Sequence, residues 1–137
     1  MEDFTIDYLD HVAIRVKDIE VSATWYSNVL GLVRKDVPKW GAFPIFMVAN
    51  KTSIALFPAN TDDPKIDLTS KNVKIDHFAF HVSEENFAKA RKKYDTLGLI
   101  YDFQDHHYFH SIYTKDPDGH TVELTTIKVH PDEFYSS

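Results

Sequence analysis

The chain writes one strand pattern twice. Tyr8-Leu-Asp-His-Val-Ala-Ile-Arg-Val16 aligns without a gap with Lys74-Ile-Asp-His-Phe-Ala-Phe-His-Val82, with Asp, His, Ala and Val identical and the apolar positions exchanged conservatively. His11 and His77 therefore occupy the same place in two copies of one module. Both segments alternate with the period of two that marks a strand with two different faces. Val12, Ile14 and Val16 share the apolar face, as do Phe78, Phe80 and Val82. His11, Ala13 and Arg15 share the other, as do His77, Ala79 and His81.

The segment after each strand repeats as well. Asp18 is placed to cap a helix whose apolar stripe is Val21, Trp25 and Val29, with Tyr26 and Leu30 beside it, and Gly31 is suited to a left-handed terminus. Ser83 opens the counterpart, with Phe87, Ala90, Tyr94 and Leu97 as the stripe and Gly98 as the stop. Strands are expected at 32–36, 44–49 and 52–57, then at 99–103, 108–114 and 120–127. Each half reads β-α-β-β-β, which predicts an α+β fold: a first module over 1–60, a linker over 61–73, a second module over 74–130 and a tail over 131–137. The final strands also align, Thr52–Phe57 with His120–Thr125, so that Ala55 stands where Glu123 stands.

Composition excludes several classes of function. With 43% hydrophobic residues the chain has the apolar content of one compact core. The net charge is -6 and the basic residues are scattered, which argues against a nucleic-acid partner. There is no cysteine, so a metal would be held by nitrogen and oxygen. The acidic start Met1–Asp7 is unlike a secretion signal and no apolar run spans a bilayer, so the expectation is a cytoplasmic protein with no membrane partner.

Taken alone, His11 reads as a hydrogen-bonded residue of a half-buried strand sooner than as a ligand, whereas Glu123, flanked by apolar residues, fits a ligand better than a solvent-facing charge. The paired modules, the histidine near each first strand and Asp116-Pro-Asp-Gly-His-Thr-Val-Glu-Leu124 together resemble the vicinal oxygen chelate superfamily, which includes glyoxalase I, the fosfomycin- and bleomycin-resistance proteins and the extradiol dioxygenases. The resemblance runs over about residues 8 to 127. It implies a curled mixed sheet around a metal-binding cavity, with His11, His77 and Glu123 as ligands of a divalent ion. Two imidazoles and a carboxylate suit Fe(II) or Mn(II), with Zn or Ni as further choices, and leave positions open for a small vicinal-oxygen substrate. Ala55 departs from glyoxalase I, which draws a second carboxylate from that position. The three-ligand set is closer to the dioxygenases and the fosfomycin enzymes. The competing reading is a metal-free protein that sequesters a ligand, as the bleomycin-resistance proteins do.

By the same resemblance Tyr113, ten residues before Glu123, brings a hydroxyl near metal-bound substrate. His81, matched by Arg15, is a proton donor or a residue of the cavity rim. His106 or His107 in the segment Asp105–His110 is a general base or an exposed loop histidine, and His110 faces away from Tyr113. Trp40 and Phe43 close over an apolar substrate or pack an interface. Asp10 and Asp76, on the opposite strand face by alternation, are expected to serve the strand starts structurally. In the segment after Glu123, where the fosfomycin enzymes carry a phosphonate-binding arginine, the chain has Lys128, His130 and Asp132. The superfamily further implies a homodimer.

Overall fold

In a computed structural model, which describes residues 3–136, the chain forms two compact units, Met1–Lys65 and Ile66–Ser137. The first unit contains β1 (His11–Val16), α1 (Ile19–Leu30), β2 (Val33–Asp36), a short 3-10 turn at Pro38–Trp40, β3 (Ile45–Ala49) and β4 (Thr52–Pro58). The second contains β5 (Phe78–His81), α2 (Glu84–Leu97), β6 (Asp102–Asp105), β7 (Phe109–Lys115), β8 (Thr121–Ile127) and α3 (Pro131–Tyr135). Each unit carries one four-stranded mixed sheet, ordered β1-β4-β3-β2 and β5-β8-β7-β6. The first strand of each runs parallel to the last, and the remaining pairs are antiparallel. These are the two expected β-α-β-β-β modules in tandem.

Local chemistry explains the helix ends. Asp18 Oδ1 accepts the amides of Glu20 and Val21 at 2.9 and 3.1 Å, and Ser83 Oγ accepts the amide of Asn86 at 3.1 Å. Both helices stop at a glycine with φ 68°, Gly31 and Gly98, a conformation that costs a residue with a Cβ.

The buried stripes differ in detail from the expected ones. On α1 the buried side is Ser22, Ala23, Tyr26 and Val29, while Val21 is exposed. Ser22 and Ala23 take the inward side of that turn in place of Val21. On α2 Phe87 and Tyr94 are buried and Leu97 is exposed. Tyr26, Ile45, Met47, Ile54 and Leu56 fill the core of the first unit, and Tyr94, Ile112 and Val122 that of the second. Truncating one of these aliphatic side chains to alanine costs about 2–5 kcal/mol.

The strand expected at 99–103 lies instead at 102–105. Residues 99–101 are held to the helix end and to the neighbouring strand by other bonds: the Leu99 amide donates to the Tyr94 carbonyl, the Tyr101 hydroxyl to Asp95, and the Thr114 hydroxyl to the Ile100 carbonyl. The tail contains α3, capped by His130, whose side chain accepts the Asp132 amide. Phe134 of that helix stacks edge-on against Phe109 at 4.8 Å. No helix among the described residues is long and apolar enough to cross a membrane.

Candidate functional site

Strand register sets one row of residues across the second sheet. Asp102 pairs with Tyr113, Tyr113 with Glu123, and Glu123 with Ala79. Residues opposite one another on neighbouring strands project from the same face, so Tyr113 and Glu123 stand side by side. Ile112, Val122 and Leu124 alternate with them and are buried.

His77 enters this row from just before β5. Its Nε2 lies 2.9 Å from Glu123 Oε1, with the His77 side chain 34% exposed and that of Glu123 10%. Its ring meets Tyr113 edge-on, 5.5 Å between centroids at 82°. The other ring nitrogen, Nδ1, lies 2.8 Å from Asp76 Oδ2, and Lys71 Nζ lies 3.8 Å from Asp76 Oδ1. The bond to His77, followed by the charge of Lys71, holds the Asp76 carboxyl below the usual aspartate range. Burial, followed by the nearby Glu123 charge, pushes the Tyr113 phenol up. The Tyr113 hydroxyl also lies 2.9 Å from His106 Nε2.

A cavity of about 540 Å³ opens beside this group, lined among others by Asp76, His77, Tyr113, Lys71, Lys74 and Lys115. The lining also carries Asp102, and each lysine has a partner: Lys71 lies beside Asp76, Lys74 is bonded to the Leu68 carbonyl and Lys115 to the Thr121 hydroxyl.

The first unit repeats the row with different chemistry. Lys35 pairs with Phe46, Phe46 with Ala55, and Ala55 with Ala13. Ala55 therefore holds the place of Glu123, and Phe46 holds that of Tyr113. His11 meets Phe46 edge-on at 6.0 Å and 84°, and its Nδ1 lies 2.8 Å from Asp10 Oδ2. Trp40 packs against the same Phe46 at 5.8 Å, beside a pocket of about 350 Å³ that both help to line. The ring of Phe43 lies 6.2 Å from that of Phe57. The first copy keeps the histidine and its aspartate and lacks both the hydroxyl and the carboxylate.

Of the expected site residues, His77, Glu123 and Tyr113 adjoin one another in the second unit, and His11 belongs to the first. His81 pairs with Thr125, two residues further along the same strands. Arg15, its match, lies over the Phe57 ring at 5.0 Å and donates to the Pro58 carbonyl. Between the two loop histidines the geometry separates sharply. His106 reaches Tyr113, whereas His107 has φ 73° and turns its ring against Tyr108. His110 stacks on Phe103 at 5.2 Å and lies 3.5 Å from Asp105, away from Tyr113 as alternation requires. Lys128 is bonded to Glu84 of α2.

Asp10 and Asp76 correct the expected direction of these side chains. Strand alternation put them on the face opposite the histidines, but β1 begins at His11 and β5 at Phe78. The aspartates therefore precede the ladders, where alternation sets no direction, and each reaches its neighbouring imidazole. The signal was present in the sequence: Asp is one of the four identities between the copies.

Among the described residues no three histidine, aspartate or glutamate side chains are gathered as a complete metal site. His77 and Glu123 nevertheless fit one. Two donors about 2.0–2.2 Å from a common ion and at right angles stand about 3 Å apart, which matches the 2.9 Å between Nε2 and Oε1.

Comparison with known proteins agrees with this architecture. Residues 8–124 match the family model of the Glyoxalase/Bleomycin resistance protein/Dioxygenase superfamily. The metallothiol transferase FosB of Lysinibacillus sphaericus is 34% identical over 125 residues, covering 89% of this chain and 84% of that protein. The glutathione transferase FosA of Serratia marcescens is 27% identical over 116 residues, covering 85% and 78%. A crystal structure of a glyoxalase/dioxygenase from Nostoc punctiforme superposes with a TM-score of 0.75 at 18% identity, covering 94% of this chain and all of that one.

Proposed function

The chain belongs to the Glyoxalase/Bleomycin resistance protein/Dioxygenase superfamily, and from that premise we propose that it is a divalent-metal-dependent enzyme that joins a thiol to a small, negatively charged, oxygen-rich substrate, in the manner of the metallothiol transferases it resembles. The observation that carries this reading is the pairing of His77 Nε2 with Glu123 Oε1 at 2.9 Å beside Tyr113. The lysines of the adjoining cavity support an anionic substrate such as a phosphonate. In the segment after Glu123, Lys128 is engaged by Glu84 and His130 caps α3.

In this proposal His11, His77 and Glu123 hold the ion, Fe(II) or Mn(II) by donor type. The ion supplies Lewis-acid polarisation of substrate oxygens. The chain's own residues do the rest. Tyr113 orients a substrate oxygen by a hydrogen bond. A sulfur–carbon bond forms as a carbon–oxygen bond of the substrate breaks, and the thiol proton ends on the released oxygen. His106, bonded to the Tyr113 hydroxyl, is placed to pass that proton, with His81 as a second proton carrier further along the face. Ala55 speaks against the four-ligand glyoxalase I reaction.

Exposed apolar side chains support a homodimer: Phe4, Ile6 and Leu9 in the first unit, and Val73, Ile75 and Ile100 in the second. Such surface is commonly buried on association. Mixing His11→Ala with His77→Ala subunits restores turnover if one site draws ligands from two chains, and leaves the mixture inactive if each site draws them from one.

The test of function is direct. Protein loaded with Mn(II) or Fe(II) is incubated with fosfomycin and either glutathione or cysteine, and adduct is followed by mass spectrometry. Adduct that requires the metal and disappears in His77→Ala is the expected result. No bound metal under any loading condition, or consumption of catechol or a hemithioacetal without any thiol adduct, would sink the proposal.

A further inference from the structure

Each module holds its histidine by an aspartate at the preceding position, and this pair is the part of the site that both copies keep. The first module has lost the carboxylate and the hydroxyl of the row, at Ala55 and Phe46, yet Asp10 lies 2.8 Å from Nδ1 of His11 as Asp76 does from Nδ1 of His77. The pair therefore accompanies the histidine and not the remainder of the row. Nor does fold stability account for it. The side chains of Asp10 and Asp76 are 73% and 53% exposed, and exposed ion pairs contribute little.

An imidazole ligates through one nitrogen, and the bond made by the other decides which one is free and how the ring is turned. With Nδ1 engaged by the aspartate, Nε2 is the nitrogen left for a ligand. In the second module that nitrogen faces Glu123. Lys71 Nζ lies 3.8 Å from the other oxygen of that aspartate.

We propose that Asp10 and Asp76 are positioning residues, one per module, that hold His11 and His77 for metal binding through Nε2. The inference rests on the metal-binding reading above and extends it to two residues outside the ligand set.

The test measures two properties in Asp10→Ala, Asp76→Ala, Asp10→Asn and Asp76→Asn. The first is the dissociation constant for Mn(II) and Zn(II), together with the melting temperature of the metal-free protein. Each alanine variant is expected to weaken binding about 10–100-fold without lowering that melting temperature. Asparagine, whose Oδ1 accepts the same Nδ1–H, is expected to recover most of the loss. Alanine variants that bind as the parent does, or asparagine variants no better than alanine, would overturn the proposal.

The second property needs no metal. Ring-nitrogen NMR of the metal-free protein, with its histidines neutral, is expected to find the His11 proton on Nδ1 and to find it redistributed in Asp10→Ala. A proton on Nε2 in the parent would overturn the positioning role. A parent that binds no metal but keeps its proton on Nδ1 would refute the metal-binding reading, and with it the purpose of the pair, while showing that the aspartate does orient the ring.

Discussion

The hydroxyl of Tyr113 and Nε2 of His106 lie 2.9 Å apart, which ties the middle of β7 to the loop that precedes it. That loop is shaped for the contact. His107 takes φ 73°, its amide donates to Asp105 Oδ1 at 2.9 Å, and the His106 amide donates to the Phe109 carbonyl at 2.8 Å. Together these bonds turn the hairpin so that His106 reaches back to Tyr113.

Removing either partner is expected to lower turnover and leave metal affinity alone. Tyr113→Phe deletes the oxygen proposed to orient substrate, and His106→Ala deletes its hydrogen-bond partner. Each is expected to reduce kcat about 10²–10⁴-fold, the span of a positioned proton-transfer group. His107→Ala is expected to stay near the parent rate, because its ring packs on Tyr108 instead. Steady-state kinetics beside metal titration separates the two effects, and equal damage from His106→Ala and His107→Ala would refute the assignment.

Glu123→Gln is expected to weaken metal binding by more than about 100-fold, beyond the span of an outer partner, while the fold survives. Glutamine keeps the volume and a carbonyl oxygen near His77 but removes the charge from a side chain that is 10% exposed. Because a buried carboxylate carries a desolvation cost, the metal-free variant is expected to melt no lower than the parent. Isothermal titration and thermal melting check the two halves.

Much of this arrangement was legible because it is written in local chemistry. Asp18, Gly31, Ser83 and Gly98 mark the helix ends through contacts within a few residues. The match of Ala55 with Glu123 depended only on two final strands of equal length, and the register of both sheets agrees with it. Less legible were contacts that begin where a pattern ends. Asp76 lies one residue before its histidine, outside the ladder that would set its direction. The bond between His106 and Tyr113 depends on a hairpin turn whose shape has no periodicity. The later start of β6 reflects backbone groups already engaged elsewhere, the Leu99 amide by the Tyr94 carbonyl and the Ile100 carbonyl by the Thr114 hydroxyl, a competition invisible in strand propensity.

Tyr94 is fully buried on α2, and its hydroxyl has no hydrogen-bond partner among the described residues. Burial alone pushes that phenol well above the usual tyrosine range. A buried hydroxyl without a partner costs about 1–3 kcal/mol, whereas the ring contributes packing, including an edge contact with Tyr101 at 5.5 Å. Tyr94→Phe keeps the ring and discards the orphan. It is expected to raise stability by about 1 kcal/mol in chemical denaturation, and a loss of stability would reveal a partner for the hydroxyl.

Arg34 links the start of α1 to β2 through Glu20, at 2.6 and 3.0 Å, and through Asp36, at 2.7 and 3.1 Å. The guanidinium holds both carboxyls below their usual range, chiefly through these bonds. A carboxyl whose folded pKa is depressed contributes stability above its unfolded pKa of about 4 and loses it as pH falls through the folded value. Both carboxylates are solvent-exposed, so the contribution is small and screened by salt. Arg34→Met is therefore expected to melt below the parent at neutral pH in low salt. The gap is expected to close as pH is lowered past the carboxylate range, and to narrow at neutral pH when salt is raised. A gap that persists unchanged in acid would assign the effect to packing of the arginine stem in place of its charge.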